Sequence, residues 1–240
     1  MIYLRSKLYD LVFGVAWTLV FGALCLPLFM VVGTPERVRR FSRFWSRGLL
    51  FGLRHVVGLT HKEIGLENKQ HDGPVIFACN HQSSWETLVF NTMMPDVAVV
   101  LKDSLYKYPI FGWYLRNSPM IAVDRDAGTA AMRQLMNGAK AAIADGRDIL
   151  IFPEGTRQDV GVNHPYNRGI ALLYKQLKVP VVPMAINSGL FWARKSYAKK
   201  PGEITVSYLP PIMPGLSGDD FMDQLKNVID EEKQRLAEIK

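Results

Sequence analysis

Six short runs of β-branched residues, separated by segments with helical periodicity, constrain the fold of this 240-residue chain most strongly. The clearest helical segment begins after Asp126, which we expect to be its N-cap, and ends at Gly146. Another extends from about Asp219 to Lys240. Strands that alternate with helices predict an α/β fold, with a central, mostly parallel or mixed sheet flanked by helices. The six predicted strands are 75–78, 97–100, 120–123, 149–152, 181–186 and 204–208.

The N-terminal quarter has a different composition. Residues 11–32 contain no charged side chain, and as a helix they would extend roughly 33 Å, about the thickness of a bilayer core. Gly33, Thr34 and Pro35 then predict a helix end followed by a new helix start. The segment 36–57 mixes arginines with aromatic and leucine side chains, as amphipathic helices on anionic lipid do. We therefore predict a membrane-associated helical pair that anchors the chain at 1–58, and an α/β domain at 59–240.

The length and the flanking residues of the apolar run exclude some alternative structures and leave others open. It is too long for a secretory signal peptide, and Leu24 before Cys25 does not suit a lipoprotein cleavage site. A single membrane span and a buried core helix stay open beside a membrane-bound hairpin. Basic residues flank the run on both sides. The positive-inside tendency therefore places the body of the protein on the cytoplasmic face of the membrane, which we expect to be a bacterial-type inner membrane.

The distribution of charge excludes one class of partner. The net charge is +7, of which residues 1–58 carry +6 and residues 59–240 carry +1. A folded domain that binds nucleic acid would carry the basic excess itself, so we expect no nucleic-acid partner. Two cysteines and five scattered histidines provide neither a disulfide framework nor a zinc site. We accordingly expect no metal.

Polar side chains follow three of the predicted strands, where ligands bind in open α/β sheets. His81 comes directly after the strand 75–78, and Glu86 falls in the first turn of a helix that Ser83 or Ser84 caps. If Glu86 holds one ring nitrogen of His81, the other nitrogen is a base for a hydroxyl proton. The alternative is that Glu86 merely favours the helix N-terminus and His81 is a loop residue.

Two more strands are followed by arginines. Arg125 comes after the strand 120–123, and Arg157 comes after 149–152. Guanidinium groups suit phosphate oxygens, and Gly155 permits close approach of the backbone to a ligand. The alternative is that both arginines pair with neighbouring carboxylates. The chain has no GxSxG, phosphate-loop or dinucleotide motif. A base without a protein nucleophile therefore predicts direct attack by a hydroxyl of an anionic substrate.

These segments resemble the motifs of the glycerolipid acyltransferases, the PlsC-type 1-acylglycerol-3-phosphate acyltransferase family. Four motifs occur in family order: NHQSSWE at 80–86, VDR at 123–125, FPEGTR at 152–157 and VPVVPMA at 179–185. The resemblance covers roughly residues 60–210, and the third motif is the most specific. Glu86 stands where the family usually has aspartate, Gln158 where serine is frequent and Arg168 where lysine is frequent. These departures preserve the chemistry but weaken any inference about the acceptor.

The resemblance implies transfer of an acyl chain from acyl-CoA or acyl-acyl carrier protein to the sn-2 hydroxyl of lysophosphatidic acid. The product would be phosphatidic acid, made for phospholipid biosynthesis, with no cofactor. His81 is then the base, Glu86 orients it, and Arg125 contacts the substrate phosphate. Glu154 bonds the glycerol or braces the arginines, and the backbone amides near Gly155 and Thr156 are candidate oxyanion donors. The expected substrate-binding residues are Arg125, Glu154, Gly155, Thr156 and Arg157.

The expected partners are membrane lipids, including lysophosphatidic acid and an anionic bilayer surface, and acyl carrier protein as a possible donor carrier. The same chemistry on glycerol 3-phosphate, a lysophospholipid or a lyso-aminolipid stays open. A non-enzymatic lipid-binding protein is the other alternative, but it has no need of a base such as His81. A basic cluster at 194–200 fits a solvated loop, a contact with lipid headgroups or a contact with acyl carrier protein.

Overall fold

The centre of the molecule is one seven-stranded sheet. The computed structural model describes residues 1–238, with their side chains outside 25–26, 28–32 and 109–110. Neighbouring strands are parallel except in one antiparallel pair, 181–186 with 202–208. This mixed sheet, flanked by helices, confirms the predicted α/β fold. The strands are β1 (Leu59–Ile64), β2 (Ile76–Cys79), β3 (Ala98–Lys102), β4 (Ile121–Val123), β5 (Ile149–Ile151), β6 (Val181–Ile186) and β7 (Gly202–Tyr208), in the spatial order β1-β7-β6-β2-β5-β3-β4.

Helices connect and cover the strands. The α-helices of the described chain are α1 (Ile2–Tyr9), α2 (Thr18–Val32), α3 (Pro35–Gly52), α4 (Trp85–Met93), α5 (Pro109–Asn117), α6 (Thr129–Ala144), α7 (Gly169–Leu177) and α8 (Gly218–Glu238). A π-helical stretch, Asp10–Trp17, joins α1 to α2, and another, Leu53–Val57, extends α3. Short 3₁₀ turns lie at Leu66–Asn68, Asp103–Lys107 and Ser188–Leu190. Residues 239 and 240 of the predicted C-terminal helix lie outside the described residues.

Both faces of the sheet are buried. Ile76 of β2 packs on one face with Ile170 of α7 and Phe221 of α8. Its neighbour Phe77 packs on the opposite face with Trp85 of α4, because successive side chains of a strand point to opposite faces. A strand covered on both sides needs apolar residues at every position. The continuous apolar runs in the sequence have this origin.

The second N-terminal helix, α3, begins where the sequence predicts, and ion pairs hold it against the sheet domain. Thr34 is the N-cap of α3, and its hydroxyl accepts a hydrogen bond from the Arg37 N–H at 3.4 Å. Further along α3, Arg39 Nε lies 2.7 Å and Arg43 Nη1 3.4 Å from Oδ1 of Asp96. Partial burial raises the pKa of Asp96, but the two arginines outweigh this effect and hold it below its ordinary value. These ion pairs fix the basic helix against the sheet domain.

An apolar helical stretch at the N-terminus remains exposed. Residues Ile2–Leu24 are long and apolar enough to cross a membrane, yet only 6 % of their most apolar window is buried in the protein. A core helix would be mostly buried, so that alternative is wrong for this stretch. An exposed apolar surface of this kind marks a contact with a membrane or with another protein.

Two local features differ from the predictions. The edge strand β1 was not predicted, because its polar sequence, LTHKEI, lacks the apolar signal of the central strands. Asp126 was predicted to cap α6, but that helix has Gly128 as N-cap, with φ 53°. The Asp126 N–H instead donates to Oδ1 of Asp124 at 3.1 Å, and the Ala127 N–H donates to the Asp124 carbonyl at 3.2 Å. Because of this turn, α6 begins after Gly128 and not after Asp126.

Candidate active site

The carboxyl end of β2 carries a histidine held by a carboxylate. Nδ1 of His81 lies 2.6 Å from Oε2 of Glu86, which stands in the first turn of α4. An ionised carboxylate only accepts hydrogen bonds, so in the neutral ring this contact assigns the proton to Nδ1 and leaves the lone pair on Nε2. Phe152 stacks on the imidazole, with ring centroids 4.1 Å apart. The ring is therefore held in one orientation, with Nε2 as its basic nitrogen.

The Glu86 carboxylate is fully buried and accepts hydrogen bonds at both oxygens. The Ser83 N–H lies 2.9 Å from each oxygen, and the Ser188 hydroxyl donates to Oε1. A charged group is stable in a protein interior only when such partners replace its water. The N-terminal end of α4 adds a favourable dipole. Residues from β2, α4 and the end of β6 thus position Glu86 for its contact with His81.

Glu154 lies behind the histidine. Its Oε2 accepts a hydrogen bond from the His81 N–H at 2.9 Å, and its Oε1 lies 3.4 Å from Nζ of Lys233 on α8. Burial raises the pKa of Glu154, and the His81 N–H and Lys233 offset this effect only in part. The described contacts of Glu154 are with these two groups and not with Arg125 or Arg157, so its expected bracing of the arginines stays a prediction. Its contact with a substrate stays a prediction.

Arg125 and Arg157 line an open cleft together with His81; the volume of this cleft is about 1140 Å³. The Arg125 guanidinium donates to the Gly155 carbonyl. Among the described side chains, no carboxylate lies within 4.0 Å of either guanidinium, so the alternative in which both pair with neighbouring acids is wrong. Two guanidinium groups without a carboxylate partner in one cleft suit an anionic ligand.

The segment between these arginines contains the two amides considered for an oxyanion. Gly155 has φ 71°, a left-handed conformation, and a Cβ there would lie 2.4 Å from Nδ2 of Asn167. The left-handed backbone therefore favours glycine, and the Asn167 amide leaves little room for a side chain, a reason that the sequence did not reveal. The Gly155 N–H already donates to the Phe152 carbonyl at 2.9 Å. The N–H of Thr156, which lines the cleft, is therefore the better candidate donor.

An apolar cavity of about 390 Å³ adjoins the cleft. It lies among α2, α3, α4 and α5, and its wall reaches Glu86. The residues that line both the cavity and the cleft are Thr87, Val99, Leu101, Leu105 and Phe152. A ligand with a long apolar chain therefore has an interior space directly beside the His81–Glu86 pair.

Two contacts of the site were not predicted from the sequence. Ser188 lies just beyond the carboxyl end of β6, so the strand-end argument that led to His81 also applied to it. Lys233 lies 79 residues from Glu154, and no local pattern indicates a contact over such a separation. The catalytic and substrate-binding roles of the residues predicted from the sequence stay predictions.

Comparisons with known proteins agree on one family. A sequence profile described as "Acyltransferase" matches residues 61–187. The 1-acyl-sn-glycerol-3-phosphate acyltransferase of Pseudomonas aeruginosa is 34% identical over 203 residues, which cover 85% of this chain and 78% of that protein. The protein of the same name from Saccharomyces cerevisiae is 27% identical, with coverage of 99% and 78%. The crystal structure of the 1-acyl-sn-glycerophosphate (LPA) acyltransferase, PlsC, from Thermotoga maritima matches with a TM-score of 0.78 at 21% sequence identity. The match covers 99% of this chain and 98% of that chain, so the two proteins share a fold.

The Ser188 contact predicts an energetic coupling to Glu86. Ser188→Ala removes a donor from a buried carboxylate, so we expect the free energy of unfolding to fall by about 1–3 kcal/mol in urea titrations in detergent. In a Glu86→Gln background the same change should cost less, since the acceptor is then neutral.

Ser118 provides a matched control. It is also fully buried, but its hydroxyl has no hydrogen-bond partner among the described residues. Ser118→Ala should change the free energy of unfolding by less than about 0.5 kcal/mol. Equal costs for the two serine variants, or no coupling between Ser188 and Glu86, would contradict this arrangement.

Proposed function

The chain belongs to the acyltransferase family, and from this premise we propose that it transfers an acyl chain from an acyl thioester to the sn-2 hydroxyl of 1-acylglycerol 3-phosphate. The product is phosphatidic acid, formed in phospholipid biosynthesis. One observation carries this proposal most directly: a histidine oriented by a buried glutamate lines the same cleft as two arginines, neither of which lies within 4.0 Å of a carboxylate of the described residues. This arrangement combines a general base with a phosphate site.

The chemical step uses the lone pair on Nε2 of His81. As the acceptor oxygen attacks the thioester carbonyl carbon, its proton moves to Nε2, and Glu86 stabilises the imidazolium that forms. The tetrahedral intermediate then collapses, and the carbon–sulfur bond breaks. The leaving sulfur takes the proton from His81. An ester and a free thiol result, and the base returns to its starting state.

The acceptor is positioned by its phosphate. Arg125 and Arg157 bind the phosphate oxygens in the cleft, and this fixes the neighbouring hydroxyl near His81. The Thr156 N–H is our candidate donor to the oxyanion. The adjoining apolar cavity provides space for an acyl chain. No step requires a metal or a redox cofactor.

The membrane supplies the lysolipid and receives the product. The exposed apolar stretch Ile2–Leu24 and the basic helix α3 support association of the enzyme with an anionic bilayer. The basic residues on both sides of the apolar run support a position of the sheet domain on the cytoplasmic face of a bacterial-type inner membrane. Acyl-CoA and acyl-acyl carrier protein are the two donors that fit an acyl thioester.

Replacement of the base tests this function. The wild-type protein in liposomes, given lysophosphatidic acid with acyl-CoA or acyl-acyl carrier protein, should form phosphatidic acid, detected by mass spectrometry. His81→Ala should lower the rate about a hundredfold or more, because no other group takes the proton.

His164→Ala is the matched control, since His164 lies in a loop and does not line the cleft. It should retain the wild-type rate. A His81→Ala rate within a few-fold of the wild type would rule out the mechanism. Failure of the wild type on lysophosphatidic acid would move the question to the other acceptors, glycerol 3-phosphate, a lysophospholipid and a lyso-aminolipid.

The phosphate site has a separate kinetic signature. Arg157→Ala should raise the KM for lysophosphatidic acid about tenfold, because it removes charge-assisted hydrogen bonds to phosphate. Turnover of 1-acylglycerol, which lacks the phosphate, should change little. Arg133→Ala, on the exposed face of α6, is the control for loss of one positive charge. An unchanged KM in Arg157→Ala would remove Arg157 from this role.

A further inference from the structure

The loop between β6 and β7 is strongly basic. Residues 187–201 contain four cationic side chains and no carboxylate. The mechanism proposed above uses none of them. The four are Arg194, Lys195, Lys199 and Lys200.

Lys199 fixes this loop to the first helix. Its side chain is almost fully buried, with Nζ 2.7 Å from Oδ1 of Asp10 and 4.5 Å from the Trp192 ring centroid. The Lys199 N–H also donates to the Ser6 hydroxyl of α1 at 2.8 Å. With its charge paired and its side chain enclosed, Lys199 has a structural role.

Hydrogen bonds within the loop hold the rest of it. The Trp192 indole N–H donates to the Ser196 carbonyl at 3.2 Å, and the Lys200 N–H donates to the Phe191 carbonyl at 2.8 Å. Lys195 adopts φ 60°, a left-handed conformation that is unfavourable for a residue with a side chain. Strain of this kind persists where surrounding contacts impose it, and it is frequent at ligand sites.

Arg194 and Lys195 differ from Lys199, which pairs with Asp10. Both line the cleft that also contains His81. Neither forms an ion pair with any carboxylate in the part of the chain that the structure describes. Two cations that form no ion pair with a described carboxylate make a second place in the cleft where an anion can bind.

The sheet order places this second group on a different side of His81 from the first. His81 follows β2, which lies between β6 and β5. Arg157 follows β5, and Arg125 follows β4 farther along on that side of the sheet. Arg194 and Lys195 follow β6. By the strand order, His81 therefore lies between two basic groups. This arrangement suits a reaction between two phosphate-bearing substrates.

We propose that Arg194 and Lys195 bind the phosphate on the pantetheine arm of the acyl donor. This inference rests on the proposed function, since acyl transfer needs a donor in the cleft and the acceptor phosphate is assigned to Arg125 and Arg157. Coenzyme A and acyl carrier protein both present their thiol on a phosphopantetheine arm, so the same two cations serve either carrier. The loop places the donor on the β6 side and the acceptor on the β5 side of His81.

A series of donors tests the assignment. Rates with lysophosphatidic acid are measured for acyl-CoA, acyl-acyl carrier protein, acyl-phosphopantetheine and acyl-pantetheine, of which only the last lacks phosphate. In the Arg194→Gln/Lys195→Gln variant, kcat/KM for the phosphate-bearing donors should fall about tenfold or more. The value for acyl-pantetheine, and the KM for lysophosphatidic acid, should stay within about twofold of the wild type.

Lys200→Gln is the matched control, because Lys200 belongs to the same loop but does not line the cleft. It should leave every donor unaffected. An equal loss on all four donors would overturn the proposal and indicate a structural effect. Retention of all donor rates, with weaker binding of the variant to anionic liposomes, would overturn it in favour of a lipid-headgroup contact. No product from wild type with any donor would instead refute the proposed function.

Discussion

The structure depends on the burial of one carboxylate. Glu86 has no contact with solvent, so its oxygens require partners from the protein, and these come from three elements: the end of β2, the start of α4 and the end of β6. A buried charge left without such partners costs several kcal/mol. The same bonds that make the burial tolerable fix the tautomer of His81. The hydrogen bonds that stabilise the buried Glu86 therefore also orient His81 as the base.

The parallel strands bring the other groups to this centre. β2, β4 and β5 run in the same direction, so residues that follow them meet at one edge of the sheet. His81, Arg125 and Arg157 share the cleft for this reason. The apolar cavity beside it lies partly among the N-terminal helices, so these helices also enclose the site.

The sequence predicted the central fold because strands buried on both faces leave continuous apolar runs. It also indicated that Glu86 reaches His81, since both lie within one strand–turn–helix segment. It did not reveal β1, an edge strand with polar residues, nor the Lys233 contact with Glu154, which joins distant parts of the chain. Nor did it locate the cavity, because apolar residues scattered over several helices carry no local signal of enclosing a space. Contacts within a short segment were predictable, and contacts set by long-range packing were not.

The tautomer of His81 tests the central claim most directly. In ¹⁵N-histidine NMR of the wild type at a pH where the ring is neutral, with the His81 signals identified by their loss in His81→Gln, Nδ1 should carry the proton and Nε2 should show the shift of an unprotonated nitrogen. The Glu86→Ala variant should lose this preference. A wild-type His81 protonated at Nε2 would contradict the account, because the nitrogen that accepts the substrate proton would already be occupied.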